Sequence, residues 1–195
     1  MDPRVTEFHC IMPLVNIHSV MQYGILSYDR ASKLPHHSVA MQPVQERRDE
    51  KQVPGGLKLH RYANLYFDAR NPMMYKRKDE ANDLCVLKIS VGVLELSGTV
   101  ITDCNAASNY VRYLAPSQTD VLDFDDIYAL DWRHPNSPGR YYQHKSRKCA
   151  EVLVPHGVPP KYIEGAYVVD RDAITRLAAL GFHAAIEINV TLFFR

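Results

Sequence analysis

The sequence predicts an α+β fold, on the strength of three observations. Short apolar, β-branched and aromatic runs alternate with short helical patterns, which favours a mixed sheet over a doubly wound parallel one. The 195 residues are 46% hydrophobic and 23% charged, a composition that suits one sizeable core. No repeat, low-complexity tract or linker rich in Gly or Ser divides the chain. We therefore expect one domain over residues 1–195.

The first elements are predicted by the periodicity of apolar residues and by the residues that end helices. Residues 7–12 predict a strand that carries His9. A helical pattern follows and ends at Gly24. The polar, proline-containing stretch from 28 to 43 predicts irregular structure, and residues 44–51 predict a charged, solvated helix.

The later elements follow the same reasoning, with apolar runs as strands and capped amphipathic runs as helices. The Asn71–Pro72 pair combines an N-cap residue with proline at the first helical position. Residues 133–148 contain prolines and a Pro–Gly turn and are predicted as a long loop. Strands are expected at 61–68, 84–93, 99–102, 150–154, 166–169 and 184–192, and helices at 72–78, 106–114, 123–131 and 171–181.

Charge is balanced overall but segregated locally. The formal net charge of +1 gives no general attraction to polyanions. Residues 120–131 contain five Asp and no base, whereas residues 132–150 contain five Lys or Arg and no acid. Aromatics interleaved with cations hold single strands by stacking and phosphate neutralisation; the alternative is a mobile surface loop. The candidate nucleic-acid contacts are Trp132, Arg133, Arg140, Tyr141, Tyr142, His144, Lys145, Arg147 and Lys148.

Glu151 stands where that basic segment meets an apolar strand. A carboxylate among apolar strand residues is unusual unless it is paired or catalytic. It can stabilise positive charge that develops on a sugar ring, as carboxylates do in glycosidases. The alternative is a strand-end Glu that points to water beside Lys148. We expect Glu151 to be catalytic.

Other residues are candidates for binding an anionic or cationic ligand. Arg47 and Arg48 can form a guanidinium fork on a pyrophosphate, or else belong to a solvated helix face. Tyr66 and Tyr75 can stack on a positively charged ring, although aromatics in strands are usually core residues. His9, taken alone in its apolar strand, is a core histidine.

The cysteines and the hydropathy pattern exclude other classes of protein. The four cysteines lack the paired spacing of a zinc site, so no metal is expected. The chain shows no charged-then-apolar N-terminal signal and no apolar run long enough to cross a bilayer. We expect a reduced, cytoplasmic protein without a membrane segment.

Four stretches stand out between His9 and about Val169: FHCIMPLVNIHSVMQYGIL, RRDEKQVPGG followed by YANLYFDARNPMMY, VITDCNAASNY, and CAEVLV. In their order and spacing they resemble the DarT family of DNA ADP-ribosyltransferases, the toxins of DarT–DarG toxin–antitoxin pairs. The resemblance implies an ADP-ribosyltransferase fold, with two small packed sheets that form an NAD cleft surrounded by helices. It implies NAD as ADP-ribose donor without a metal, and a base in single-stranded DNA as acceptor. Tyr66 or Tyr75 would then pack against the nicotinamide.

The resemblance also implies roles for individual residues. Glu151 looks like the catalytic glutamate, and His9 like the histidine that contacts the NAD ribose. Arg48 resembles the arginine that binds NAD and orients the reaction, with Arg47 as the alternative. A cognate DarG-like antitoxin that removes ADP-ribose is implied by the family alone.

Asn105 departs from the family pattern, because thymidine-modifying members have a histidine there. An amide orients a base through hydrogen bonds but does not titrate as an imidazole does. Asn105 is therefore a candidate catalytic residue that leaves guanine and thymine both open as targets. Two other interpretations also remain open: a non-catalytic module that binds single-stranded nucleic acid, and an ADP-ribosyltransferase that acts on RNA or protein.

Overall fold

Short strands and short helices alternate along the structure, a computed structural model that describes residues 2–195. Within that range the strands are β1 (Phe8–Pro13), β2 (Ile25–Leu26), β3 (Tyr62–Tyr66), β4 (Leu84–Ile89), β5 (Val100–Thr102), β6 (Tyr113–Leu114), β7 (Glu151–Pro155), β8 (Gly157–Val158), β9 (Ile163–Val168) and β10 (Ala185–Ile188). The α-helices are α1 (Ile17–Tyr23), α2 (Tyr28–Ala31), α3 (Gln42–Asp49), α4 (Pro72–Lys76), α5 (Phe124–Tyr128), α6 (Pro138–Arg147) and α7 (Arg171–Ala179). Short 3₁₀ helices lie at Leu14–Asn16, Leu59–Arg61, Lys78–Asp83, Val91–Glu95, Thr119–Val121, Pro160–Tyr162 and Val190–Phe193.

Eight strands form one mixed sheet, in the order β10-β9-β4-β1-β3-β7-β5-β6, while β2 and β8 form a separate antiparallel pair. Neighbouring strands of the large sheet are antiparallel except β9 and β10. Between β1 and β3, the described residues share a single pair, His9 with Tyr66, whereas β1 pairs with β4 from Phe8 to Pro13. The large sheet therefore consists of two half-sheets, β10-β9-β4-β1 and β3-β7-β5-β6, joined at one rung. The α+β prediction is confirmed, and its two small sheets are the halves of one sheet.

Alternation along the central strands separates the two faces of the sheet. Phe8, Leu65 and Val152, from β1, β3 and β7, belong to the largest core cluster, which also includes residues of α1 and α7. Burial of such side chains contributes about 1.5–3 kcal/mol each. Their chain neighbours Tyr66 and Glu151 face the opposite side of the sheet, because successive strand residues alternate. The candidate site lies on that opposite side.

Side chains that the sequence marks as caps set the ends of several helices. Asn71 accepts two backbone N–H groups of the first turn of α4, as predicted. Asp123 and Asp170 cap α5 and α7 in the same way. Gly24 ends α1 at a φ of 82°, and a Cβ there would lie 2.1 Å from the Val158 carbonyl oxygen. Only glycine therefore allows the β2–β8 pair to approach the end of α1.

The helix predicted at 106–114 is wrong: these residues form turns that lead into β6. The Ala106 N–H donates to the Glu151 carboxylate, and the Ala107 N–H donates to the Asn105 side chain. Short polar side chains compete in this way with helical hydrogen bonds.

The long loop predicted at 133–148 is also wrong, because most of it forms α6. Ser137 precedes Pro138, which occupies the first turn of the helix. Proline at this position starts helices well, since its fixed φ suits the first turn and its missing N–H costs nothing there. This start signal outweighs the turn signal of Pro138–Gly139.

Candidate active site

A cleft of about 610 Å³ opens beside the joint between the two half-sheets. Its walls come from β1, α1, β3, α3, α4 and α6, and from residues 34–41, which connect α2 to α3. The volume lies in the range of small-molecule sites. Of the predicted site residues, the cleft is lined by Arg47, Arg48, Tyr66, Asn105, Tyr142 and Lys145.

Glu151 is fully buried at the first position of β7. Both its carboxylate oxygens accept hydrogen bonds from Nη1 of Arg48, at 3.2 and 2.9 Å, and Oε1 also accepts the Ala106 N–H at 2.9 Å. Its own N–H donates to Thr102 Oγ1 at 3.0 Å. Buried charges are tolerated when they are paired and hydrogen-bonded in this way. The alternative of a Glu151 that points to water beside Lys148 is wrong.

His9, Tyr66 and Glu151 occupy one row across three neighbouring strands, because His9 pairs with Tyr66 and Tyr66 pairs with Glu151. Directly opposite residues present their side chains on the same face of a sheet. Burial raises the pKa of the Tyr66 hydroxyl well above its usual range, and the negative charge of Glu151 raises it further. Tyr66 is therefore a neutral aromatic beside the carboxylate.

His9 lies in this row but is not among the residues that line the cleft. Its Nδ1 accepts the Ala69 N–H at 3.0 Å, so Nε2 carries the proton and donates to Glu7, 3.0 Å away. Burial opposes ionisation of Glu7, but hydrogen bonds from His9 and Tyr167 outweigh it and lower the pKa of this carboxyl. With both ring nitrogens engaged, His9 ties β1 to the end of β3. The structure does not bring it to the cleft as the ribose contact that the resemblance implies.

Helix α3 places its two arginines differently. Arg48 is 5% exposed and lines the cleft, whereas Glu151 does not, so the guanidinium lies on the cleft side of the carboxylate. Arg47 is exposed and also lines the cleft. Within residues 2–195, Arg47, Lys76 and Lys145 form no ion pair with a carboxylate, and all three line the cleft. Such a cationic rim suits a ligand that carries phosphates.

The structure brings one of the two candidate tyrosines to the cleft. Tyr66 lines it, while Tyr75 packs edge-on against Trp132 and Phe194, at 6.0 and 5.2 Å between ring centroids. Tyr75 is therefore corrected to a member of a separate aromatic cluster. Asn105 also lines the cleft, where its Oδ1 accepts the Ala107 N–H at 2.9 Å. Its NH₂ group makes no hydrogen bond within the described part of the chain and is free to donate to a ligand.

The basic segment does not form an open cationic surface, because the acidic segment neutralises part of it. Asp126 binds Arg140 at 2.6 Å and Arg147 at 2.8 Å, and Asp123 binds Arg147 at 2.8 Å. Burial would raise the pKa of Asp126, but hydrogen bonds from Arg147 and Arg140 outweigh it and lower that pKa. The two oppositely charged segments are therefore the contact between α5 and α6. This corrects the prediction that Arg140 and Arg147 are nucleic-acid contacts.

Three more predicted nucleic-acid contacts belong to the interior. Lys148 is fully buried, where it binds Asp68 and donates to the Ile127 carbonyl at 2.7 Å; burial lowers its pKa. His144 and Trp132 are also buried. These three predictions are corrected, because the side chains are enclosed by the fold. The remaining members of the predicted set are Arg133, which pairs with Asp131 at 2.6 Å, and Tyr141, Tyr142 and Lys145, which stay at the surface.

Sequence reasoning missed one contribution to the site and assigned the wrong local structure to a tyrosine in the same segment. The backbone N–H of Ala106 binds the Glu151 carboxylate, and no residue type signals such a donor. Tyr110, assigned to a helix by its sequence, is 91% exposed in the following loop. Lys51 tethers that loop by donating to the Ser108 carbonyl at 3.0 Å.

Among residues 2–195, no group of three or more His, Cys, Asp or Glu is arranged to hold a metal ion. Burial raises the pKa of the cleft-lining thiols Cys10 and Cys149 to about 12, so both stay protonated at neutral pH.

None of the helices formed by residues 2–195 has the length and hydropathy that a bilayer span requires.

Comparisons with known proteins address the chemistry of this site. The family model described as "ssDNA thymidine ADP-ribosyltransferase, DarT" matches residues 9–194. A DNA ADP-ribosyl transferase–DNA ADP-ribosyl glycohydrolase fusion protein of Thermosipho africanus is 28% identical in an alignment of length 187, which covers 91% of this chain and 46% of that protein. A DNA ADP-ribosyl transferase of Thermus sp. is 27% identical in an alignment of length 175, which covers 83% of this chain and 80% of that protein. The chain thus spans about half the fusion protein and most of the Thermus relative.

Solved structures match in fold over nearly the whole chain. Thermosipho africanus DarTG in complex with ADP-ribose gives a TM-score of 0.82 at 25% identity, over 96% of this chain and 51% of that one. Thermus sp. 2.9 DarT in complex with ADP-ribosylated ssDNA gives a TM-score of 0.83 at 23% identity, over 97% of both chains. These matches confirm the predicted ADP-ribosyltransferase fold.

Proposed function

The chain belongs to the DarT family of single-stranded-DNA ADP-ribosyltransferases, and on that premise we propose that it transfers ADP-ribose from NAD to a base of single-stranded DNA. The observation that carries the proposal is the buried Arg48–Glu151 pair beside a cleft with a cationic rim. A module that only bound nucleic acid would have no use for a desolvated carboxylate at such a place. NAD is the donor in this class of enzyme, and a Thermus DarT has been solved in complex with NAD⁺.

In the proposed reaction, the bond between ribose C1′ and the nicotinamide nitrogen breaks, and nicotinamide leaves with the electron pair. Positive charge develops on the ribose, where Glu151 stabilises it electrostatically. A nitrogen of the base then bonds to C1′ from the opposite face, and a guanine amino group loses its proton to Glu151 as it does so. Tyr66, neutral and beside the carboxylate, packs against the nicotinamide. The rim cations Arg47 and Lys76 neutralise the pyrophosphate.

Arg48 has two roles in this proposal. In the structure, it occupies the cleft side of Glu151, at 2.9 Å from Oε2. An arriving pyrophosphate offers the guanidinium a second anionic partner, and its several N–H donors can bind both. When Arg48 donates some of its N–H groups to the phosphate, one carboxylate oxygen of Glu151 becomes available to the ribose. The negative charge of Glu151 would thereby become accessible only when NAD is bound.

The decisive experiment incubates the protein with NAD and a set of single-stranded DNA oligonucleotides, and then weighs the products. The proposal expects a mass gain of one ADP-ribose on DNA and a matching release of nicotinamide. Parallel reactions with RNA oligonucleotides and with the protein alone test the other acceptors. Salt-sensitive binding of oligonucleotides without NAD consumption would instead support the non-catalytic module.

Asn105 is proposed to select the base through its free NH₂ group. We expect the protein to modify oligonucleotides that contain guanine as their only reactive base at least about ten-fold faster than those that contain only thymine. Asn105→His should raise the rate on thymine, because an imidazole can accept the N3 proton where an amide cannot. Mass spectrometry of products from homopolymeric oligonucleotides measures both rates. Asn136→His, at an exposed asparagine before α6, is the control. A thymine preference in the parental protein would contradict this assignment.

Three surface residues are proposed to hold the DNA strand. Tyr142 is 68% exposed and lines the cleft together with Lys145. Tyr110 lies four residues after Ala106, so its Cα is at most about 14 Å from the Cα of the residue whose N–H binds Glu151. Both tyrosines are therefore within reach of nucleotides next to the target base. Arg133, Arg140 and Arg147 have no part in this proposal, because their charges are paired within the fold.

Tyr142→Ala is expected to raise the KM for the oligonucleotide by roughly 5- to 100-fold, because stacking contributes about 1–3 kcal/mol per base. Tyr142→Trp should keep the parental value, since it retains an aromatic face. Steady-state rates at varied oligonucleotide and saturating NAD measure the effect. Tyr23→Ala is the control, because Tyr23 is 50% exposed at the end of α1 and does not line the cleft. Equal KM values for the two alanine variants would remove Tyr142 from the DNA contact.

A role as the toxin of a toxin–antitoxin pair is also proposed. It rests on the Thermosipho africanus relative, in which a DNA ADP-ribosyl transferase is fused to a DNA ADP-ribosyl glycohydrolase. A separate partner that removes ADP-ribose from DNA is the corresponding expectation for this chain. Rescue of growth arrest by co-expression of such a glycohydrolase is the test.

A further inference from the structure

Residues 34–41 form an irregular segment, here called the strap, that makes up one wall of the cleft. Of its eight residues, all except Pro35 line the cleft. The strap runs from α2 to the start of α3, the helix that carries Arg48. A segment without helix or strand needs other partners for its backbone groups. Two side chains from outside the strap supply them.

Asn16 holds one end of the strap. Its Nδ2 donates to the His37 carbonyl at 2.7 Å, and its Oδ1 accepts the His37 N–H at 2.9 Å. The carboxamide thus satisfies both backbone groups of one residue, as a neighbouring strand would. Asn16 belongs to the 3₁₀ turn that precedes α1 and also lines the cleft. It therefore fixes the distance between the strap and the α1 wall.

Arg77 holds the strap two residues further on. Its Nε and Nη2 both donate to the Val39 carbonyl, at 3.1 and 2.9 Å. Its third nitrogen, Nη1, binds Glu80 Oε1 at 2.8 Å, which orients the guanidinium. Arg77 follows α4 directly. The strap is thus tied to α1 on one side and to the end of α4 on the other.

We propose that Asn16 and Arg77 are positioning residues, which latch the strap across the cleft so that the NAD-binding wall is formed before the ligand arrives. The inference rests on the proposed use of NAD. Preorganisation of a binding segment improves affinity by removing the cost of ordering it on binding. The strap leads into α3, so the same two latches also set the start of the helix that brings Arg48 to Glu151. Their effect belongs to NAD binding, not to the chemical step.

The test uses the full chain with Asn16→Asp, which has nearly the same shape but replaces the donor to the His37 carbonyl by a charged oxygen. We expect the KM for NAD to rise at least about ten-fold while kcat changes less than about three-fold, the pattern of lost uniform binding. Amide hydrogen exchange followed by mass spectrometry should show faster exchange in residues 34–41 and unchanged protection in β4. Arg77→Lys, which cannot place two donors on one carbonyl, should give a smaller shift of the same kind. Asn136→Asp, an exposed asparagine before α6, should behave as the parental protein.

Two results would overturn the latch. An unchanged rate of amide hydrogen exchange in residues 34–41 of Asn16→Asp would show that the Asn16 side chain does not hold the strap. This conclusion would not depend on the KM for NAD. Faster exchange with an unchanged KM would show that the strap is held but does not position NAD. Failure of the proposed function looks different, because then the parental protein itself would release no nicotinamide.

Discussion

Glu151→Gln is expected to slow ADP-ribose transfer by roughly 100- to 10,000-fold, which corresponds to about 3–5 kcal/mol of transition-state stabilisation. Glutamine keeps nearly the shape of glutamate and can still accept the Ala106 N–H, but it lacks the charge that the proposed mechanism places against the ribosyl cation. The change also leaves Arg48 buried without its counter-ion. We therefore expect the free energy of unfolding to fall by a few kcal/mol as well.

Rate and stability have to be measured on the same preparation to separate these two effects. Initial rates at saturating NAD and oligonucleotide report the chemical step, and urea unfolding reports the stability. Glu164→Gln is the matched control, because Glu164 lies exposed on strand β9, and neither quantity should change. A folded Glu151→Gln protein that works at close to the parental rate would exclude this carboxylate from the chemistry.

Arg48→Ala is expected to have the second largest effect, since it leaves the Glu151 carboxylate buried with only the Ala106 N–H as a polar partner among the described residues. Removal of one partner of a buried ion pair lowers the free energy of unfolding by about 3–5 kcal/mol. Transfer activity should be largely lost, because the arginine also contacts NAD in the proposed mechanism. Urea unfolding and nicotinamide release measure the two losses.

Arg47→Ala tests which of the two arginines is the paired one, a choice that the sequence left open. Arg47 is exposed and has no ion pair within residues 2–195, so its removal should change stability by less than about 0.5 kcal/mol and act through the KM for NAD. The double variant Arg48→Met with Glu151→Gln should regain much of the lost stability but none of the activity, because no buried charge remains unpaired. If Arg48→Ala were as stable as Arg47→Ala, the pairing seen at Glu151 would have no energetic role.

The sequence predicted most elements because their signals are local. Apolar runs gave β3, β4, β7 and β9 within a few residues, and Asn71–Pro72 marked the start of α4 where the structure has it. The helix prediction for residues 106–114 failed because the Ala106 N–H donates to Glu151, a partner 45 residues away in the chain. Helix α6 was missed because its Pro138–Gly139 start resembles a turn. Long-range hydrogen bonds are invisible to local patterns.

The site was predictable where one residue type was out of place, and unpredictable where charges meet across the fold. Glu151 stood out as a carboxylate in an apolar strand, but Arg48, 103 residues away, was predicted only as an NAD ligand and not as its ion-pair partner. The opposite charges of residues 120–131 and 132–150 looked like a nucleic-acid surface, yet Asp126 pairs with Arg140 and Arg147. A charge run by itself does not reveal whether its counter-charges lie in a ligand or in the same chain.

The single rung between the half-sheets has a mechanical consequence. Within residues 2–195 the two halves meet at a narrow joint, and separating them breaks the backbone bonds of the His9–Tyr66 pair and the bond from the Ala69 N–H to His9 Nδ1, at a net cost of about 0.5–1.5 kcal/mol each. Further resistance to opening comes from aromatic packing across the joint, where Phe8 and Phe67 meet edge to face at 5.2 Å. Residues at the joint move least when the two half-sheets rotate relative to each other. The row that contains Glu151 crosses that joint, so a rotation of the two half-sheets about it would displace Glu151 less than it displaces the outer strands.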